Sequence, residues 1–285
     1  VIKLEQPALT ADQALAKCLE GITGNNELRQ KVINATHLFQ DNALIYSASA
    51  STGELYTIPS IPNQNGYDPF VTGQLRKSDL LNLYKNYLVK GEKPGRDIYN
   101  TLMNAANEKC PFCGGIGRPR NLDHYLPKTH FPQFSVLPFN LVPSCRDCNM
   151  DGKGQEFATN ESEQVLQPYL DEDCYFNEQW IFANYKADIN DEPGVIEYFV
   201  KPPEHWPETQ KQRVNKHFTD FNLDLRFSKE ASSRLIIYLD QINALSFIPL
   251  EEAKDIIFRP AIQNAPFINH WERIMCLALM KDFSN

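Results

Sequence analysis

Two cysteine pairs, Cys110-x2-Cys113 and Cys145-x2-Cys148, constrain this chain more than any other feature. A C-x2-C turn sets two thiolates on one side of a tetrahedral Zn²⁺, with sulfur at about 2.3 Å, and a second such turn completes the sphere. Pro111 and Gly114-Gly115 beside the first pair suit a tight knuckle. The 31 residues between the pairs (114–144) exceed the ~15–20 of a simple zinc ribbon. A small folded unit therefore lies between them, stapled by a structural zinc on Cys110, Cys113, Cys145 and Cys148. Neither pair precedes a helix in a βαβ setting, which argues against a redox role.

The rest of the chain bounds where such a unit can work. Hydrophobic residues make up 42% and charged residues 22%, the balance of a soluble globular protein. No apolar run approaches the ~18–20 residues that span a bilayer, so no membrane role is expected. The chain has 7 cysteines, an odd number, and starts without a signal-peptide layout. That points to a reducing, cytoplasmic setting and against a disulfide framework. Net charge is −8 but uneven: 0 over residues 1–100, +2 over 101–155 and −10 over 156–285. The only positive stretch holds the cysteine pairs, which fits a small phosphate-facing site on a chain that is not a general nucleic-acid coat.

Periodicity divides the chain into a helical N-terminal region (1–100), a central unit (101–155) and a C-terminal region (156–285) of two strands followed by helices. Thr10-x-x-Gln13 reads as a capping box before Leu15, Cys18, Leu19 and Ile22. A second helix carries Leu28, Val32, Ile33, Leu38 and Phe39; residues 50–75 read as a long loop; Ser78 caps a third helix and Asp97 starts a fourth. Strands are expected at 180–185 and 195–200, joined by a turn at Asn190-Asp191-Glu192-Pro193-Gly194, then helices at 208–218, 226–245, 251–257 and 267–280. The expected fold class is mainly α with a small α+β centre.

Between and beside the cysteine pairs stand Asp123-His124, Asn140 and Asn149. A histidine near pKa ~6.5 accepts a proton at neutral pH, and a carboxylate is a hard oxygen ligand for Mg²⁺ or Mn²⁺. Phosphodiester hydrolysis needs both functions, an activated water and a cation at the leaving oxygen. Residues 121–127 read as a short strand ending at Pro127, and strand neighbours point to opposite faces. Asp123 and His124 then serve one site only if the strand end twists or bulges. Elsewhere, His205 with Trp206, and His217, lie among helices without partner spacing and read as packing residues. Tyr84, Tyr87, Phe218 and Phe221 read as core or interface.

The run from Cys110 to Lys153 resembles the HNH endonucleases of the ββα-metal type, in the version stapled by a four-cysteine zinc. The resemblance implies a β-hairpin leading into a helix, with one divalent cation between them. It implies His124 as general base, Asp123 and Asn149 as ligands of Mg²⁺ or Mn²⁺, and Asn140 as a brace for the loop that orients the histidine. Lys153 matches a basic residue that faces phosphate, displaced by one position with Gly152 before it. Asn149 stands where many members carry histidine, so this is an HNN form whose neutral amide oxygen favours hard cations over zinc. Arg118 and Arg120 on the hairpin approach, and His130, are candidate DNA contacts. The layout is also similar to the nuclease component of Septu-type antiphage systems, which implies an ATPase partner and other components of a defence complex. The alternatives are a zinc-stapled nucleic-acid or protein-binding module without catalysis, and a stand-alone restriction or homing nuclease.

Overall fold

The computed structural model describes residues 1–188 and 193–283. About half of the chain is helical, and the strands form three small antiparallel sheets of two strands each among the described residues. The expected class, mainly α with a little β, is what the chain adopts.

The N-terminal half carries α1 (Ala11–Gly21), α2 (Asn26–Asn34) and α3 (Thr36–Ser51), then a hairpin of β1 (Phe70–Thr72) and β2 (Leu75–Arg76), α4 (Lys77–Asn82) and α5 (Arg96–Asn104). Thr10 Oγ1 accepts from Gln13 N and Gln13 Oε1 accepts from Thr10 N, a reciprocal capping box. The single helix expected to reach Phe39 is two helices that meet at Ala35, where the backbone leaves the helical region (φ −97°, ψ 3°). Residues 50–75 are more ordered than a loop: α3 runs to Ser51, one 3-10 turn covers Leu55–Thr57, and β1–β2 follows. Ser78 lies inside α4 and does not cap it. Asp79 accepts from Arg76 N at 3.0 Å, and Asp68 accepts from both the N–H and the hydroxyl of Ser78 at 2.7 Å. Asp68 thus satisfies a free N–H of the first turn, where a negative charge is favoured by the helix dipole.

At the centre, β3 (Asn121–His124) pairs with β4 (Leu141–Ser144) in the register Asn121↔Ser144 to His124↔Leu141. A helical turn, Cys148–Lys153, follows. After a short α6 (Cys174–Asn177), β5 (Ile181–Lys186) and β6 (Val195–Val200) form the expected hairpin. Of its expected turn, Asn190, Asp191 and Glu192 lie outside the described residues. The chain finishes with α7 (Glu208–Asp220), α8 (Leu223–Ala244), α9 (Leu250–Gln263) and α10 (Trp271–Asp282), of which α8 packs on β6 and α10 on β5.

Two hydrophobic clusters form the core. One joins α1–α5 to Leu122, Val136 and Leu141; the other joins the C-terminal helices to the four cysteines, Tyr125 and Val142. Leu141 and Val142 are neighbours on β4 yet serve different clusters, because successive strand residues face opposite sides. The β3–β4 hairpin is thus enclosed from both sides, which buries its polar residues with its apolar ones. The clusters do not follow chain order: Tyr46, Ala50 and Leu55 belong with the C-terminal cluster.

Candidate functional site

Cys110, Cys113, Cys145 and Cys148 are all buried, and their sulfurs lie within 4.8 Å of one another. A tetrahedral Zn–S distance of about 2.3 Å sets sulfurs about 3.8 Å apart, so this donor set fits zinc with small adjustments. The first knuckle closes through Gly115 N to Cys110 O and Cys110 N to Gly117 O, both at 2.9 Å, and Gly117 N points at Cys113 Sγ at 3.3 Å. Gly117 is required by space: a Cβ there would sit 2.4 Å from Cys145 Sγ. From α8, Arg226 donates to Cys148 Sγ at 3.1 Å and reaches Cys145 Sγ at 3.7 Å. Four thiolates around one Zn²⁺ leave two net negative charges, and a guanidinium beside them offsets part of that.

β3 ends at His124, which is 4% exposed. Its Nε2 lies 3.0 Å from the Ser135 carbonyl. A carbonyl only accepts, so Nε2 carries the proton and the lone pair of the neutral ring is on Nδ1. Burial, aided by the charge of Lys128, holds His124 well below its ordinary pKa, so the ring is neutral at pH 7. Ser135 is itself fixed, its hydroxyl donating to Leu80 O at 2.9 Å. Tyr84 meets the imidazole edge-on at 4.3 Å, and the Lys128 ammonium lies 5.3 Å from the Tyr84 ring centre.

Asn140 is fully buried and spends its amide on the β3–β4 connection. It accepts from Leu126 N at 2.7 Å and donates to Leu126 O at 3.1 Å and Phe134 O at 3.2 Å. This clamp holds the segment that delivers Lys128 and the Ser135 carbonyl to His124.

Asp123 is buried beside His124, and its Oδ2 accepts no hydrogen bond. Burial raises its pKa, opposed by Lys153 and Lys128. The Lys153 ammonium stands 3.5 Å from that oxygen and donates to the His124 carbonyl at 2.7 Å. At 3.5 Å the charges attract without an aligned hydrogen bond. Lys153 is therefore an interior residue, 7% exposed, and not a free surface cation. Asn149 is half-buried on the same helical turn as Lys153.

The remaining candidates lie further out. Arg118 and Arg120 are exposed on the approach to β3, where Arg120 N bonds Ser144 O. His130 is half-buried, with Nδ1 3.2 Å from Ile61 O and its ring against Phe157. His217 is a packing residue: Nε2 meets Phe112 O at 2.8 Å and Nδ1 accepts from Leu166 N at 3.2 Å. Sequence reasoning did not place Ser135, Lys128 or Arg226 at these centres, and it read Tyr84 as core or interface. Only Lys128, four residues from His124, carried a local signal.

No family model and no solved structure matches the chain. Among curated proteins, the chain is similar to protein ea31 of Escherichia phage lambda, 38% identical over 297 residues, covering 99% of this chain and 98% of that protein.

Proposed function

The chain belongs to the family of protein ea31 of Escherichia phage lambda, and for this member we propose a metal-dependent HNH endonuclease that hydrolyses DNA phosphodiester bonds. One observation carries the reading. His124 commits Nε2–H to the Ser135 carbonyl, which leaves Nδ1 as a base, and its chain neighbour Asp123 keeps a buried carboxylate oxygen without a hydrogen bond. That pairing is what water activation next to a cation requires.

Asp123 Oδ2 and the Asn149 amide are hard oxygen donors and fit Mg²⁺ or Mn²⁺. When bound, the cation supplies charge stabilisation at phosphorus and at the departing 3′ oxygen. His124 accepts the proton of the attacking water on Nδ1. Ser135 and Asn140 hold the ring and its loop, and Lys128 and Lys153 add positive potential. The four cysteines, with zinc, keep the hairpin and the turn Cys148–Lys153 in register. With a net charge of −8 the chain lacks the field to gather DNA alone, so targeting is assigned to a partner, of the ATPase kind that the Septu-like layout implies. Arg118 and Arg120 are the proposed backbone contacts at the rim.

The Lys153–Asp123 pair favours a second reading. If the ammonium is the lasting countercharge of Asp123, the unit is a zinc-stapled binding module without catalysis. Plasmid cleavage with Mg²⁺ or Mn²⁺ against EDTA, with His124→Ala alongside and zinc content measured in both, separates the two. Divalent-dependent cleavage that is lost in the variant at equal zinc content is the expected result. Cleavage at the wild-type rate by His124→Ala would remove His124 as base. Zinc retention and DNA binding without cleavage, with a partner ATPase present, would favour the module.

A further inference from the structure

A cavity of about 350 Å³ opens directly beside the candidate centre, within the size range of small-ligand sites. Lys153 connects the two, since it lines the cavity and also donates to the His124 carbonyl. The walls include Leu55, Tyr56, Tyr125 and Phe157, so flat apolar surface dominates. Gln164 also lines the cavity and is 2% exposed. Its Oε1 accepts from Tyr56 N at 3.1 Å, which fixes the amide orientation, and its Nε2 has no partner. A buried donor left unpaired costs about 1–3 kcal/mol; its neighbours close it off, so a ligand acceptor satisfies it only as that wall yields.

Charge decides what kind of ligand enters. Glu156, Glu163 and Asp220 stand at the cavity, while Lys216 is paired with Asp220 at 2.8 Å and Lys153 is committed to His124 and Asp123. The balance repels phosphate. It suits a neutral heteroaromatic ring that presents an acceptor to Gln164, stacks on aromatic walls and offers an amino group to a carboxylate.

We infer that this cavity receives one nucleobase, unstacked from the bound strand, while its phosphate stays outside at Asp123-His124. The inference rests on the nuclease reading for the identity of the strand. Taking a base out of the stack fixes the backbone beside the reacting centre and gives base preference without an extended basic surface.

The test is binding of a single-stranded oligonucleotide carrying one 2-aminopurine, to zinc-loaded protein without added Mg²⁺, read by fluorescence. Two variants accompany it. Ala158→Trp fills the cavity without removing a hydrogen bond, and Gln164→Glu keeps the acceptor for Tyr56 N while deleting the Nε2 donor. The expected result is a saturable emission change in wild type and affinity about tenfold to a hundredfold weaker in Ala158→Trp, the scale of one lost stacking contact. Gln164→Glu weakens binding as well; if it fails to fold, Ala158→Trp decides. Strand binding with unchanged emission, or capture of the free nucleoside alone, overturns the inference whatever the cleavage result. Base capture without Mg²⁺-dependent plasmid cleavage, with the partner ATPase present, would instead overturn the nuclease reading and leave the cavity's ligand standing.

Discussion

Lys153 Nζ donates to the backbone carbonyl of His124 at 2.7 Å and stands 3.5 Å from Asp123 Oδ2. One side chain thereby ties the helical turn after the second cysteine pair to the last two residues of β3. Burial penalises both charges, raising Asp123 and lowering Lys153, and their attraction opposes both shifts. Each needs the other to remain ionised inside.

Replacing Lys153 by Met leaves a buried carboxylate without a countercharge, and stability is expected to fall by about 3–5 kcal/mol. Adding Asp123→Asn to that variant should recover a substantial part, because the uncompensated charge is gone. Urea unfolding of the two single variants and the double one measures the coupling. Strict additivity would show that the two groups do not depend on each other.

Gly117→Ala should abolish the metal centre. The new Cβ would stand 2.4 Å from Cys145 Sγ and 2.6 Å from its Cβ, and neither can yield without moving the second cysteine pair. Zinc per chain after desalting, by atomic emission, is expected to drop well below that of wild type. A full complement would mean that Cys145 shifts freely.

Arg226→Ala removes the hydrogen bond to Cys148 Sγ and the positive charge near Cys145. Outer partners of metal ligands typically contribute 10–100-fold in affinity, and a loss of about that size is expected. Competition with a chromophoric chelator reads it directly. Arg226→Lys should fall between, since it keeps the charge but not the planar fork. Unchanged zinc affinity in Arg226→Ala would reduce the contact to packing.

Burial lowers His217 to about 3. An unfolded histidine titrates near 6.5, so between those values the unfolded chain holds a proton that the folded chain refuses. The stability tied to His217 is complete above about 6.5 and is lost as pH falls, by about 1.4 kcal/mol per pH unit. His217→Gln preserves a donor for Phe112 O and an acceptor for Leu166 N without this titration. Its unfolding free energy should therefore depend less steeply on pH between 6 and 4.5. Parallel pH profiles would contradict a buried neutral imidazole.

The parts legible in the sequence were those set by short-range geometry. C-x2-C spacing commits two sulfurs to one side of a metal whatever surrounds them, and all four sulfurs do converge. The capping box at Thr10 and Gln13 closes within one helical turn, and the β5–β6 hairpin forms where expected because a two-stranded ladder needs only its own neighbours. Ser78 and the break at Ala35 differ from expectation because Asp68, ten residues before Ser78, takes both its N–H and its hydroxyl, and a continuous apolar stripe does not reveal where two helices bend apart.

By itself, the sequence determined a four-cysteine knot enclosing an Asp-His pair in a mainly helical chain, because those spacings are local. Only the tertiary structure decided that Ser135 O assigns the proton of His124, that Lys153 turns inward onto Asp123, and that Arg226 reaches the cysteines from 78 residues away. These contacts join elements that meet only when the two hydrophobic clusters close on the β3–β4 hairpin. The free energy that brings them together is the burial of apolar surface, which is non-directional. No spacing along the chain encodes which polar groups it will leave side by side.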